Sequence, residues 1–390
     1  MASLNVKNHL ISKKYHKEIE AWQQRNFPDI QLLTRYWKKH FPEQEEWVLC
    51  AKTSDIRTDI ITQGKYINKN KFEKASEMKG SMLYQALRIV KAQCSTELGS
   101  IQQHVETVDE STTDYAKFSI LRIMAEELRH AYQMFWVLSH DASWASTGDK
   151  KIADNLMDEL LSMNTGSHVL DAFNIEFTDP LDNIVFACFI DRVGKFQLSM
   201  QEEFSYKPMS ASMRPMLVEE AFHLQTGWEV LREICIAAVT TGGRSLDEVQ
   251  RSINLWYPRA LEMFGSVEGG ESNLQFSFKS MSNADALSGY IKEVEALMLT
   301  LNAAIVSARE PGLARKDIIR KVKESQPLYL PAQNFLRMRA DTQVAGKLFD
   351  VSGNTLSKEN YSQYLTEVLP AKFLNTDFGK KYTSNLLLAS

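Results

Sequence analysis

One arrangement of acidic and imidazole residues constrains the fold of this 390-residue chain more than any other feature. Glu127-x-x-His130 and Glu220-x-x-His223 each set a carboxylate and an imidazole three residues apart, on one face of a helix. Thirty glutamates and eight histidines in a chain of this length make fewer than one such match by chance. A further carboxylate precedes each pair, Glu97 by 30 residues and Asp191 by 29, so that the two halves repeat with offsets of 94, 93 and 93. A separation near thirty is what two antiparallel helices joined by a loop require if their residues are to meet at one height. The repeat therefore predicts two helix hairpins in pseudo-symmetry.

The apolar pattern puts these groups inside the protein. Glu97 stands where a core residue belongs in the series Leu83, Leu87, Val90, Cys94, Ile101 and His104, which steps by three and four. Glu127 and His130 fall in the stripe of Ile120, Ile123, Met134 and Val137, Asp191 aligns with Ile184, Cys188, Gly194 and Leu198, and Glu220 and His223 with Met213, Met216 and Gly227. An ionised carboxylate buried without a partner costs several kcal/mol, and four together also repel one another. A cation must sit among them. Four carboxylates and two imidazoles suit a pair of divalent ions, as in ferritin-like di-iron and di-manganese bundles; iron working with O₂ is the first choice and manganese the alternative. Cys94, Cys188 and His104 read as core residues.

The expected fold is mainly α: a ferritin-like four-helix bundle over 75–240, an N-terminal helical flank over 1–74, and C-terminal helices with a small mixed segment over 241–390. Breaks are expected at Asp141–Lys151, at Ser205–Pro215 with its two prolines, and at Thr240–Gly243; Phe264–Asn273 reads as a surface loop and Asp285–Ala308 as a helix. The turn Ser352-Gly353-Asn354 would join two short strands. With 44% hydrophobic and 24% charged residues the chain is globular, and a net charge of −4 argues against nucleic acid as a partner. The longest central apolar run, Val185–Ile190, is far too short to cross a bilayer, the N-terminus lacks the apolar core of a secretory signal, and four cysteines without a CxxC fit a reducing compartment. The expected location is the cytoplasm.

The segments CSTELGS, MAEELRHAYQM, FIDRVGKFQLSM and LVEEAFHLQTGWEVL resemble the di-iron oxygenase subunits of benzoyl-CoA 2,3-epoxidase and phenylacetyl-CoA epoxidase, the former more closely. Asp191-Arg192 followed by Gly194-Lys195 adds to the likeness, with Val193 intervening. The resemblance implies a ferritin-like bundle whose two irons, held and worked by Glu97, Glu127, His130, Asp191, Glu220 and His223, activate O₂ and insert one oxygen atom into an aromatic acyl-CoA. Epoxidation or hydroxylation of an aromatic acid, free or CoA-linked, is thus the expected activity; a ferritin-like metal-storage or peroxide-scavenging protein is the alternative. Gln93, Gly194 and Lys195 are expected to line the substrate side, and Arg192 to hold ligand carboxylates from behind. No Gly-x-Gly-x-x-Gly follows a strand and no cysteine cluster could carry an iron–sulfur centre, so electrons are expected from a separate flavin or iron–sulfur reductase. A homodimer is left open. Seven basic residues between Leu313 and Arg339 offer a docking face for a phosphate-rich handle or an acidic reductase, against the plainer reading of a solvated helix face.

Overall fold

The computed structural model describes residues 5–6, 13–27, 29–43, 47–111, 113–266, 270–337 and 347–389; residues 267–269 of the expected surface loop and Arg339 of the basic stretch lie outside them. The fold is mainly α. Its helices are α1 (Lys13–Asn26), α2 (Ile30–His40), α3 (Ser81–Val105), α4 (Asp114–Ser139), α5 (Ile152–Ser162), α6 (Pro180–Gln201), α7 (Lys207–Thr240), α8 (Leu246–Glu262), α9 (Glu271–Gln275) and α10 (Asn283–Arg309). After Pro311 the chain is helical too, with α11 (Arg315–Ser325), α12 (Lys358–Val368), α13 (Ala371–Asn375) and α14 (Asp377–Ala389). Two-residue strands β1 (Asn5–Val6) and β2 (Val48–Leu49) pair in parallel, and β3 (Leu348–Phe349) and β4 (Thr355–Leu356) form the hairpin expected around Gly353. Among the described residues no helix is long and apolar enough to cross a membrane.

The chain divides into two compact units, the first comprising Met1–Pro180, Gln197–Glu220 and Gly270–Ser282, the second Leu181–Phe196, Ala221–Gly269 and Asn283–Ser390. In the first, α3 and α4 pack against each other along their lengths. Thr113 caps α4, its hydroxyl accepting the Ala116 N–H at 3.1 Å. The α3 series from Leu83 to His104 is buried throughout, Glu97 included. Helix α2 covers α4 through stacked rings of Tyr36, His40 and Phe118, with the Arg122 guanidinium over Trp37 and Phe41.

The break expected at Ser205–Pro215 is shorter than the sequence indicates, because α7 starts at Lys207 and runs through Pro215. Proline cannot donate to the carbonyl four residues back, that of Ala211. Here the Ala211 oxygen accepts the Ser54 N–H at 3.0 Å, so the bond lost inside the helix is replaced from outside it. The same extended segment gives the Lys52 N–H to Gln133 at 2.6 Å, and Gln133 in turn donates to Ser212 at 2.7 Å. These bonds fix the first turns of α7 beside α4.

In the second unit α6 and α7 approach so closely at Gly227 that a Cβ there would lie 2.7 Å from the Cys188 backbone nitrogen. Trp256 of α8 donates its indole N–H to Asp182 at 3.0 Å, and the Tyr290 hydroxyl of α10 to the Phe189 carbonyl at 3.1 Å, tying both helices to α6. Asn302 and Gln250 each exchange two hydrogen bonds with the backbone at Leu328 and Tyr329, so side-chain amides do there what a paired strand would do.

Next to Glu97, the α3 surface is covered by a buried histidine. Gly99 lets this happen: a Cβ would meet Phe173 Cβ at 2.8 Å and the His168 ring at 3.1 Å. His168 Nε2 lies 2.9 Å from Gln102 Oε1 and Nδ1 3.3 Å from Ser95 Oγ, a set that suits the neutral ring. Burial pushes its pKa down to about 4, the Ser95 contact opposing only weakly. Above pH 6.5 neither folded nor unfolded chain protonates this ring. Between pH 6.5 and 4 only the unfolded chain does, so stability is expected to fall with pH by up to about 3 kcal/mol and to level off below. Urea midpoints measured from pH 7.5 to 4 should show a shallower slope in this window for His168→Gln than for the wild type; parallel profiles would refute the assignment.

Candidate metal centre

Three helices of the first unit bring four donors together. Glu97 comes from α3, Glu127 and His130 from α4, and Glu220 from α7; one ligand atom of each lies within 4.8 Å of the others, and all four residues are buried. His130 Nδ1 is 3.5 Å from Glu97 Oε2, 3.5 Å from Glu127 Oε2 and 3.8 Å from Glu220 Oε1. These separations exceed good hydrogen bonds, and they suit donors spread around one ion at bond lengths of about 2.0–2.3 Å. With all three carboxylates ionised and His130 protonated, the group would still carry two net negative charges in a place closed to water. The donor set fits a divalent cation of intermediate to hard character.

The other face of the imidazole shows what sequence reasoning missed. His130 Nε2 stands 3.1 Å from Glu219 Oε2, and Glu219 is itself held by the Arg129 guanidinium, through Nε at 3.0 Å and through Nη2, and by Lys52 Nζ at 2.9 Å. A carboxylate behind a ligating histidine fixes which nitrogen faces the metal and how the ring is turned. The signal was present in the Glu-Glu-x-x-His of both motifs, but nothing in the sequence says which glutamate of a pair faces inward.

Burial works against charge on each of these groups, and their neighbours reverse it. For His130, burial favours the neutral ring, yet Glu127, Glu219 and Glu97 hold its pKa well above the usual imidazole range. For Glu219, burial opposes ionisation, while His130, Arg129 and Lys52 bring the carboxyl well below its ordinary value. Glu97 is likewise lowered despite burial, by Glu127 and His130 beside it and by the Gln93 amide. Cys94, one turn before Glu97, is pushed far up by burial, as expected of an inert core thiol.

The remaining two expected ligands belong to the second unit, where His223 Nδ1 lies 3.9 Å from Asp191 Oδ2 and both residues are buried. His223 follows Glu220 by three residues on the single helix α7, and so shares its face. Of the residues expected to line the substrate side, Gln93 donates its amide to Glu97 Oε1. Lys195 Nζ is bound by both oxygens of Glu293 at 2.8 Å, and Arg192 gives Nη1 to Glu293 and Nε to the Cys188 carbonyl at 3.0 Å. The expected hold of Arg192 on ligand carboxylates is thus not among these bonds; beside the four converging groups it is Arg129 that holds a carboxylate, that of Glu219 behind His130.

Comparison with known proteins finds a matching family and a curated relative. A family described as "Phenylacetic acid catabolic protein" matches residues 102–309, a span holding Glu127, His130, Asp191, Glu220 and His223 and starting five residues after Glu97. The benzoyl-CoA oxygenase component B of Aromatoleum evansii is 26% identical over 194 residues, 46% of this chain and 40% of that protein. The chain therefore spans about two fifths of the length of the curated relative it matches.

Glu219→Ala would strand Arg129 in the interior and release His130. It is expected to cost about 3–5 kcal/mol of unfolding free energy and to weaken Fe(II) or Mn(II) binding about 10- to 100-fold. Glu310→Ala, which removes an exposed partner of Lys321, should change neither. Urea denaturation and competition against a chromophoric chelator measure the two effects, and wild-type metal affinity in Glu219→Ala would contradict the role given to this carboxylate.

Proposed function

Since the chain belongs to the phenylacetic acid catabolic protein family, we propose that it is the oxygenase subunit of a multicomponent enzyme acting on an aromatic acid. The observation that carries this reading is the buried convergence of Glu97, Glu127, His130 and Glu220. On the 93-residue repeat, Asp191 and His223 complete a set of six ligands for a pair of ions, with iron preferred and manganese the alternative. When bound, the metal pair supplies the redox chemistry that activates O₂, one oxygen atom passing to the substrate and the other leaving as water at the expense of two electrons and two protons.

The chain's own residues have three tasks. Glu219, with Arg129 and Lys52 behind it, keeps His130 turned so that Nδ1 faces the carboxylates. Gln93 holds Glu97 by one oxygen and leaves the other directed toward His130. The apolar series along α3 and α4 excludes water, which strengthens every charge interaction inside and protects reactive species from side reactions. Gln93, Gly194 and Lys195 remain the proposed lining of the substrate side; Lys195 would exchange Glu293 for an anionic substrate group.

An aryl-CoA thioester is the preferred substrate, because the matched relative is by name a benzoyl-CoA oxygenase component. The designation component B also implies other subunits there, and the electrons for this chain are proposed to come from a separate flavin or iron–sulfur reductase. The ring would be epoxidised or hydroxylated.

Oxygen uptake by the iron-loaded protein with reductase, measured across a panel of aryl-CoA thioesters and the free acids, is expected to respond to a thioester. Glu127→Ala and His223→Ala should each abolish that uptake and lower iron content, while Lys321→Ala keeps both; full activity in the two ligand variants would sink the reading. The isolated chain should consume NAD(P)H no faster than buffer. Rapid consumption by pure protein would refute the need for a separate reductase.

A further inference from the structure

The second unit carries an apolar groove that none of the proposed ligands lines. It is a hollow of about 660 Å³ between the C-terminal part of α7, the outer face of α10 and α11, and its floor is made by Ile236, Ala303, Ala304, Ile318 and Ile319. Leu299, 53% exposed, forms a ridge at one end, and beyond it lies a second hollow of about 500 Å³ that begins at Glu295. From Glu295 to Ala308 the α10 wall extends for roughly 20 Å, the length of about 13 helical residues. Exposed Leu299 and Ile319, the latter at 42%, flank half-buried Ile236, Ala303, Ala304 and Ile318 in one hollow, and such grouping marks an interaction surface rather than scattered surface leucines and isoleucines.

The charges around the larger hollow have one sign. Arg232 on α7 and Arg315 at the start of α11 both line it, and among the described residues no carboxylate does. Neither guanidinium has a hydrogen bond or ion pair with another described residue, although the neighbouring basic residues are engaged: Arg320 with Asp317 at 3.3 Å and Lys321 with Glu310. Two uncommitted guanidinium groups bordering an apolar floor call for a ligand that is apolar in the middle and anionic at its edges.

We propose that this groove docks an amphipathic helix of a partner protein, its apolar face on Ala303, Ala304 and Ile319 and its carboxylates on Arg232 and Arg315. The groove's length favours a helix of three to four turns, anchored by side chains at i, i+4 and i+7. A second copy of this chain is less suited to it, since two-fold pairing through the groove would bring its own arginine rims together.

The probes are two synthetic helical peptides of four turns with the same leucine face, one flanked by glutamates and one by lysines, titrated by fluorescence anisotropy onto the full-length protein. The glutamate peptide is expected to bind at least tenfold more tightly at low salt, and the gap should narrow as salt rises. Arg232→Glu/Arg315→Glu should invert the preference, Arg232→Ala/Arg315→Ala should erase it, and Ile319→Asp should weaken the glutamate peptide about tenfold or more. Neither arginine has a side-chain partner among the described residues, so circular dichroism and thermal midpoints should match the wild type. Equal affinity for the two peptides, no binding of either, or an unchanged preference in the charge-reversed variant would each overturn the proposal.

Discussion

Three glutamates facing one imidazole in a space closed to water is the constraint on which the rest of the molecule depends. Apolar packing of α3 on α4 would be satisfied by a leucine at position 97 or 127, and by the rules of helix packing a leucine would cost nothing. The chain instead holds Glu97, Glu127 and Glu220 around His130 Nδ1, and it maintains them with a second set of charges. Glu219 is neutralised by Arg129 and Lys52, and the Arg129 guanidinium lies over the Trp47 ring with its centroid 5.1 Å away. In that outer set one carboxylate meets two cations. The inner set has three carboxylates to one imidazole, and this excess of negative charge is the physical reason for reading it as a candidate cation site rather than as a structural ion-pair network.

Precise placement of such a site falls on elements that look incidental in sequence. The stretch from Lys52 to Phe72 has no α-helix and little apolar character, yet it donates to Gln133 on α4 and to Ala211 on α7, and Lys71 reaches Ser210 at 2.9 Å. It thereby sets how the first turns of α7 stand beside α4, and so where Glu219 and Glu220 fall. Pro215 fits the same picture: the helix tolerates it because this stretch occupies the carbonyl that proline leaves free.

The convergence of Glu97, Glu127, His130 and Glu220 was legible in the sequence because period and chemistry disagree there. A carboxylate recurring where the three-four rhythm demands an aliphatic residue is an anomaly that a single sequence exposes, and the repeat at 93 residues made it more than coincidence. The helical fold was legible for the same reason. What was not legible follows from long-range partner choice. Glu293 on α10 takes both Arg192 and Lys195, about a hundred residues away along the chain, and nothing near Asp191 announces it. Likewise Ser205–Pro215 reads as a break from local propensity alone, whereas an external donor decides that the helix continues.

The paired glutamates illustrate how one residue of helical rotation divides labour. Successive residues point about 100° apart, so Glu219 and Glu220 cannot share a direction, and they meet the same imidazole from its two sides, at Nε2 and Nδ1. In α4 the division is similar: Glu127 turns to the cluster, while Glu126 accepts from Arg122 at 3.0 Å and lies 4.0 Å from Arg129. In each pair the second glutamate faces the site and the first holds an arginine. Arg129 touches both of those first glutamates, so it couples α4 to α7 directly behind the ligands. A cluster built this way gains its geometry from buried ion pairs that contribute little net stability by themselves. Those pairs explain why an arginine can lie beside so acidic a cluster: its charge is spent on Glu219 and Glu126.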